Sequence, residues 1–301
     1  VVVAPAMHSN MWLAPATQAN VATLRQRGVH VIEPESGALG SGDSGVGRLP
    51  SPEEIARRAL AILGGSDEAA VGTSLAGKTL VVTAGGTREP IDPVRFLGNK
   101  SSGRQGLAIA AAAARAGARV RVIAANIDDS VMACLPPSVE VTRVGSAQQM
   151  REATLAQVRG ADALVMTAAV ADFRPEATHA SKMKKDPMTV DAPTLRLVRN
   201  PDILSEVGHG PHRPPLVIGF AAETGTDEEI LAYGADKAAR KGADYIALNR
   251  VGAGVGFGDV PNDIRLLDVG GQIVGRYIGS KDEVAAGLVA QMAAFLDNLE
   301  R

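Results

Sequence analysis

The sequence predicts an α/β fold, a mainly parallel β-sheet flanked by helices, on three observations. Short apolar runs rich in β-branched residues alternate with helical segments over most of the 301 residues. A strand, a long glycine-bearing loop and an alanine-rich helix follow one another between Leu80 and Ala116. A Gly-, Ser- and Asp-containing stretch, Gly64 to Lys78, reads as a linker with a shorter run of strands and helices ahead of it. The domain boundary is placed in that stretch, giving residues 1–70 and 71–301.

Taken in order, Val1 to Ala4 reads as a buried strand and Pro5 to Trp12 as a turn. Ala16 to Arg27 is a helix closed by Gly28, and Val29 to Ile32 is the next strand. Gly37 to Pro50 reads as a Gly/Ser-rich loop. Ser51-Pro52-Glu53-Glu54 starts a helix that runs to about Leu63, with Pro in the first turn and acids at the positive end of the dipole. Beyond the linker, strands are expected at Leu80 to Val82, Arg119 to Ile123, Val139 to Thr142, Ala163 to Thr167, Leu216 to Phe220 and Tyr245 to Asn249. Helices at Leu107 to Ala116, Ala147 to Val158, Asp202 to Val207, Asp227 to Lys241 and Lys281 to Asn298 separate most of them, which implies right-handed crossovers. Ile264 to Asp268 and Ile273 to Tyr277, joined by Gly270-Gly271, read as an antiparallel hairpin at a sheet edge.

Composition narrows the function classes. The content of hydrophobic residues, 46%, fills a core, and a net charge of −2 offers no general attraction to nucleic acid or an acidic membrane. Cys134 is the only cysteine, which excludes an internal disulfide framework and a cysteine-rich metal site; it reads as an ordinary small residue near a loop. No run is apolar for the length of a membrane span and no signal peptide pattern is visible, so a cytoplasmic setting is expected. The chain opens on Val1-Val2-Val3, already inside a strand, as a fragment or processed form would.

The informative turn follows Val82. A dinucleotide fold carries a short G-x-G-x-x-G there, whereas Gly85-Gly86 is followed by a Pro-punctuated excursion before Ser101-Ser102-Gly103 opens the helix. Small residues at a helix start leave backbone N–H groups to an anion, and Arg88, Arg95, Lys100 and Arg104 add charge beside them. Taken alone, Ser101 to Gly103 is a capped helix start. The glycines, the Asn99 amide and four cations in one loop weigh towards a phosphate site.

In a parallel sheet the ligand lies outside the carboxyl ends of the strands. The segments found there are Thr167-Ala168-Ala169-Val170-Ala171-Asp172, then Lys182-Met183-Lys184-Lys185, then Arg199-Asn200-Pro201-Asp202-Ile203-Leu204 with the look of a second anion seat, and Phe220 to Glu223. Lys237 and Lys241 lie four apart on the following helix, where a solvent-facing stripe is the default. Each signal is weak alone, but most follow strand ends. Together they suit a nucleoside triphosphate, with lysines on phosphates and Asp172 plus backbone groups on the base. No G-x-x-x-x-G-K-[ST] is present, and no spacing suggests a protein-bound metal, so Mg²⁺ would arrive with the triphosphate.

Seven segments in order resemble phosphopantothenate–cysteine ligase: Thr83 to Thr87, Asp92 to Arg95, Asn99 to Gly103, Ala169 to Asp172, Lys182 to Lys185, Asn200 to Ile203 and Gly219 to Glu223. The resemblance covers roughly Gly77 onward. In bacteria that ligase is usually the C-terminal half of a bifunctional protein, behind a flavin-dependent phosphopantothenoylcysteine decarboxylase. It implies a Rossmann-like sheet for 71–301, preceded by the C-terminal part of a flavodoxin-like flavoprotein domain in 1–70. Pro5-Ala6-Met7-His8 resembles the decarboxylase's Pro-Ala-Met-Asn, with His8 in place of Asn. The segment from Gly40 to Leu49 resembles its substrate clamp, with Ser41 in place of the proton-donating Cys. A serine is a far weaker acid than a thiol, so decarboxylation by this chain is not expected, and FMN is expected only where the full domain is present.

For the ligase the resemblance implies activation of 4′-phosphopantothenate by CTP, to an acyl-cytidylate and pyrophosphate, and then attack by the amine of L-cysteine, with release of CMP. The Asp172 and Lys182-Met183-Lys184-Lys185 pattern resembles the bacterial, CTP-using one. Lys182 matches a phosphate-binding lysine. Gly85, Gly86, Met166, Thr167, Ala168, Asp172, Pro201, Asp202, Ile203, Leu204, Phe220, Lys237 and Lys241 match nucleotide contacts, and Ser101, Ser102 and Gly103 substrate contacts. Asn99 matches the residue that handles the acyl intermediate. Arg95 stays open between holding the substrate's phosphate and bracing the loop. A homodimer is implied, through the Phe96 loop and the edge hairpin after Asp263, with no nucleic-acid or membrane partner. Two other classes remain: an NAD(P)-dependent oxidoreductase, with Asn126 and Asp128 near the acid position, and a non-catalytic flavoprotein-like module.

Overall fold

The computed structural model describes residues 1–38, 44–63, 74–184, 192–223, 234, 236–250 and 262–299. The chain divides into two compact units, Val1–Val71 and Gly72–Arg301.

In the first unit, β1 (Val2–Val3) pairs in parallel with β2 (His30–Val31). The connection holds α1 (Ser9–Trp12) and α2 (Pro15–Gln26), with Trp12, Val21 and Ile32 buried. The expected turn at Pro5 to Trp12 thus contains a short helix, whose first amides are met by the His8 ring: Nδ1 accepts from the Asn10 N–H at 3.3 Å. The expected loop from Gly37 to Pro50 is an antiparallel hairpin instead, β3 (Glu35–Ala38) with β4 (Ser44–Arg48). Its glycines permit close approach, not looseness: Gly47 has φ +152° and its carbonyl accepts from the Met7 N–H at 3.0 Å, and a Cβ on it would overlap the Met7 oxygen. Arg48 and Glu35 pair across the strands at 2.5 Å. Helix α3 (Pro52–Leu63) closes the unit, and Gly40, Ser41 and Gly42 lie outside the described residues.

The second unit is built on one sheet. Its strands in chain order are β5 (Thr79–Gly85), β8 (Arg119–Ala125), β9 (Glu140–Val144), β10 (Ala163–Met166), β13 (Leu216–Glu223), β14 (Tyr245–Arg250), β15 (Asn262–Asp268) and β16 (Ile273–Gly279). In space they run β16-β15-β14-β13-β10-β5-β8-β9. The six from β5 to β14 are parallel, and β15 and β16 are antiparallel, as the hairpin pattern predicts. Counted from β5, the parallel strands stand in the order 3-2-1-4-5-6. This is the dinucleotide-fold arrangement, whose crevice opens where strands one and four part company.

Alternation along β5 assigns its faces. Leu80, Val82 and Ala84 pack with α4 (Arg104–Arg115) and α8 (Lys281–Leu299). Val81 faces the opposite cluster, with Met150 of α6 (Ala147–Gln157) and Ile203, Leu204 and Val207 of α7 (Ile203–Gly208). The alanines of α4 let that helix lie against both the sheet and α8, and Gly106 to Ala113 are all buried. Helix α5 (Asp129–Met132) follows β8, and of the predicted helix over 227–241 the described residues, 234 and 236–241, are helical.

Two hairpins in loop positions are absent from the expectations. One is β6 (Arg88–Pro90) with β7 (Phe96–Gly98), and the other is β11 (Phe173–Pro175) with β12 (Leu197–Arg199). Each strand has three residues, too few for a period of two to show. No described helix is long and apolar enough to cross a membrane.

Candidate active site

The crevice between β5 and β10 is held by main-chain bonds that continue past the sheet. Thr167 N–H donates to the Thr83 carbonyl at 3.2 Å, Ala169 N–H to Gly85 at 2.8 Å, and Thr87 N–H to Ala169 at 3.2 Å. Gly85 has φ +86°, and a Cβ on it would overlap the Ala125 carbonyl oxygen, so the turn needs glycine there. Asn126, at φ +50°, donates through Nδ2 to the carbonyls of Gly86 at 2.9 Å and Gly145 at 2.8 Å. Buried Thr87 accepts at Oγ1 from the Ala171 N–H at 2.9 Å. Sequence reasoning singled out neither role. Asn126 directly follows a strand end, which is the signal that marks it.

Two neighbouring cavities open at this end of the sheet. The smaller, about 190 Å³, is lined by Lys100, Ser101, Ser102 and Gly103 on one side and by Thr167, Ala168 and Phe220 on the other. Gly103, at φ +75°, is the N-cap of α4 and gives it no side-chain hydrogen bond, and the positive end of the helix dipole lies at this residue. Lys100, Arg104 and Lys281 line the same cavity.

The larger, about 520 Å³, brings together Met166, Ala168, Asp172 and Phe220 with the Pro201, Asp202, Ile203 and Leu204 run and with Lys237 and Lys241. Asn200 positions that run: its Nδ2 donates to the Ala171 carbonyl at 2.8 Å, and its N–H to the Asp172 carbonyl at 2.8 Å. The Asp172 side chain is exposed. Lys241 departs from the solvent-stripe expectation. Its ammonium pairs with Asp202 and its side chain is only 17% exposed. Burial pushes the Asp202 carboxyl up, but Lys241 and the Ser205 amide outweigh it and hold it below the usual range. The second anion seat is not met either: the Asp202 carboxylate itself caps α7, accepting from Ser205 N–H at 3.1 Å, and repels a phosphate there.

The other candidates lie around these cavities. Gly85 and Gly86 shape the turn and line neither cavity. Asn99 donates through Nδ2 to the carbonyl of Val170, a wall residue of the larger cavity, at 3.2 Å. Lys182 is exposed and lines neither one. Arg95 braces: its Nε donates to Asp92 at 2.9 Å and its Nη2 to the Met183 carbonyl at 2.6 Å. Asp92 is buried and accepts from Val94 and Arg95 N–H at 2.8 Å each and from Met183 N–H at 3.2 Å. Burial raises its carboxyl, but those amides and the guanidinium prevail and bring it down to about 2. Lys185 lies outside the described residues. Among the described residues no group of three His, Cys, Asp or Glu side chains could hold a metal ion.

Comparison with known proteins follows the same division of the chain. The family model of the DNA/pantothenate metabolism flavoprotein C-terminal domain matches residues 75–296, and a flavoprotein model matches residues 1–63. The coenzyme A biosynthesis bifunctional protein CoaBC of Mycobacterium tuberculosis is 47% identical over 303 residues, covering 98% of this chain and 71% of its own length. Its counterpart in Mycolicibacterium smegmatis is 45% identical over 306 residues, with the same coverage of 98% and 71%. A crystal structure of the C-terminal domain of a coenzyme A biosynthesis bifunctional protein CoaBC superposes with a TM-score of 0.60. It is 32% identical and covers 75% of this chain and 99% of that one.

Proposed function

Since the chain belongs to the DNA/pantothenate metabolism flavoprotein C-terminal domain family, we propose that its second unit is a phosphopantothenate–cysteine ligase of coenzyme A biosynthesis. The observation that carries this reading is the convergence of ten residues from four separate stretches, between Met166 and Lys241, on one cavity of about 520 Å³, beside a smaller one at a helix start without a side-chain cap. The larger takes the nucleotide, CTP, with Asp172 and backbone groups of Met166, Ala168 and 201–204 reading the base and Lys237 and Lys241 as further nucleotide contacts. The smaller takes an anionic group of the substrate at Ser101, Ser102 and Gly103.

In the first step a carboxylate oxygen of 4′-phosphopantothenate attacks the α-phosphorus of CTP, forming the acyl-cytidylate and expelling pyrophosphate. The nitrogen of L-cysteine then attacks the acyl carbon, the C–O bond breaks, and CMP leaves as the amide forms. An anion approaching a polyanion must be screened, and Lys182, Lys100 and the first amides of α4 supply fixed positive charge. Asn99 donates to the acyl carbonyl and accepts from the incoming amine. Mg²⁺ arrives with the triphosphate and neutralises part of its charge.

A flavoprotein model matches residues 1–63, and FMN is proposed only for a chain that carries the full decarboxylase domain; no step is routed through that group. A homodimer is proposed through the exposed Phe96 loop and edge strand β16, where Ile273 and Ile278 are exposed.

The test is pyrophosphate release from 4′-phosphopantothenate and Mg²⁺ with CTP or ATP, with and without cysteine. Release with CTP, completed to CMP and the cysteine amide when cysteine is added, is the expected result. No release with either nucleotide, from folded protein, refutes the reading.

A further inference from the structure

Asp92 does more than shape its own turn. Its Oδ1 caps the turn between β6 and β7, and its Oδ2 reaches a segment far along the chain, accepting from the Met183 N–H at 3.2 Å. Arg95, held by the same carboxylate, takes the Met183 carbonyl at 2.6 Å. One ion pair therefore grips both polar groups of a single residue, the one next to Lys182. Two further bonds fix the same segment upstream: His179 N–H donates to the Ile91 carbonyl at 3.0 Å, and Thr178 Oγ1 to Pro90 at 3.2 Å. Lys182 lies between these anchor points.

The gripped segment belongs to the excursion between β11 and β12, and both ends of that excursion enter the larger cavity. Asp172 and Phe173 line it where the chain leaves, and Arg199 and Asn200 where it returns. The excursion is thus fastened to the nucleotide cavity at its base and to the β6–β7 hairpin through Met183. The Asp92 side chain is 0% exposed, while that of Arg95 is 47% exposed, so the carboxylate is the fixed member of the pair. A buried carboxylate with four donors has one geometry. A backbone gripped at both its N–H and its C=O passes that geometry to the neighbouring Cα.

We infer that Asp92 is a positioning residue that, through Met183, sets where the ammonium of Lys182 stands relative to the bound triphosphate. This rests on the ligase reading above, with Lys182 as the phosphate-binding lysine. Asp92 touches no reacting atom. Arg95 serves as the second jaw of the grip, and the phosphate-binding alternative for it is not needed.

The experiment is a double-variant cycle on the full chain, reading pyrophosphate release with CTP. Asp92→Asn keeps the size and removes the charge that holds Arg95 and the Met183 amide. It is expected to lower kcat/KM by about 10- to 100-fold, the scale of a misplaced charged group. In a Lys182→Gln background the same change is expected to cost less than about 3-fold, because the group it positions is gone. Equal, multiplying losses in both backgrounds overturn the inference, since a purely structural lesion harms both alike. If Asp92→Asn does not fold, Arg95→Lys takes its place: the charge beside Asp92 stays, but a single ammonium does not span both partners. A folded parent that releases no pyrophosphate refutes the ligase reading, and this inference with it. An active parent whose Lys182→Gln variant is fully active overturns the inference alone.

Discussion

Gly106→Ala measures how closely α4 approaches the crevice. A Cβ at residue 106 would stand 2.7 Å from the Ala84 Cβ and 3.2 Å from the Thr83 carbonyl oxygen, and closer still to Thr167 Oγ1. The hydroxyl of Thr167 is tied to the Thr83 carbonyl, and Ala84 sits on the central strand, so none of the three neighbours can swing away. Ordinary contact needs about 3.5 Å, so the helix start must retreat by roughly 1 Å. Overpacking of this kind costs about 1–3 kcal/mol, and a rigid strand on the far side places this case near the upper end. Alanine is worth about 1 kcal/mol more than glycine inside a helix, which offsets part of it. The net destabilisation is about 2 kcal/mol, or about 4–8 °C in Tm for a unit of this size. Calorimetry on the folded variant checks the fall, and titration with 4′-phosphopantothenate checks the accompanying loss of affinity, since Thr167 lines the smaller cavity. A Tm within roughly 1 °C of the parent would refute the reasoning, because the glycine would then serve no close approach.

Three other expectations concern single residues. The Asp92 carboxyl falls from 3.8 to about 2 on folding, so the stability it contributes is complete above 3.8 and is lost as pH falls through about 2. The Tm difference between parent and Asp92→Asn is therefore constant from neutral pH to about 5 and narrows below it; a gap that widens in acid would contradict this. Asn126→Ala and Asn126→Gly both lose the bonds to Gly86 and Gly145, but only alanine is strained at φ +50°, so urea unfolding should place it about 1 kcal/mol below the glycine variant. Asn99→Asp replaces an amide donor by an anion. Amide formation should slow by about 100-fold or more while pyrophosphate release is less affected, and equal loss in the two steps, followed separately, would remove Asn99 from its role.

Much of the architecture is legible in the sequence because five of the six parallel strands, all but the exposed edge strand β9, are largely buried and read as apolar runs, while the helices between them are long enough to show their period. The turn at Gly85 and the run from Pro201 to Leu204 are legible for the same reason: they follow strands. What escapes is set by partners far along the chain. Nothing near Asp92 signals that its second oxygen reaches Met183, and nothing near Lys241 signals Asp202. The loop expected over 37–50 pairs as a hairpin because its glycines face Met7 and Ser9, which local propensity does not contain. Lys182, chosen by its motif, stands outside both cavities as they are described.

Phe220 and Ala168 line both cavities, so only a thin partition stands between the two. A small molecule with one arm in each and a short tether across the phenylalanine edge would make a single loss of translational freedom serve two contacts. The second arm would then experience an effective concentration in the millimolar range without any new interaction. Enlarging the partition would break such a molecule in two, energetically, while leaving each half its own seat. The thickness of one aromatic ring thus sets how strongly a compound built for both chambers gains over its parts.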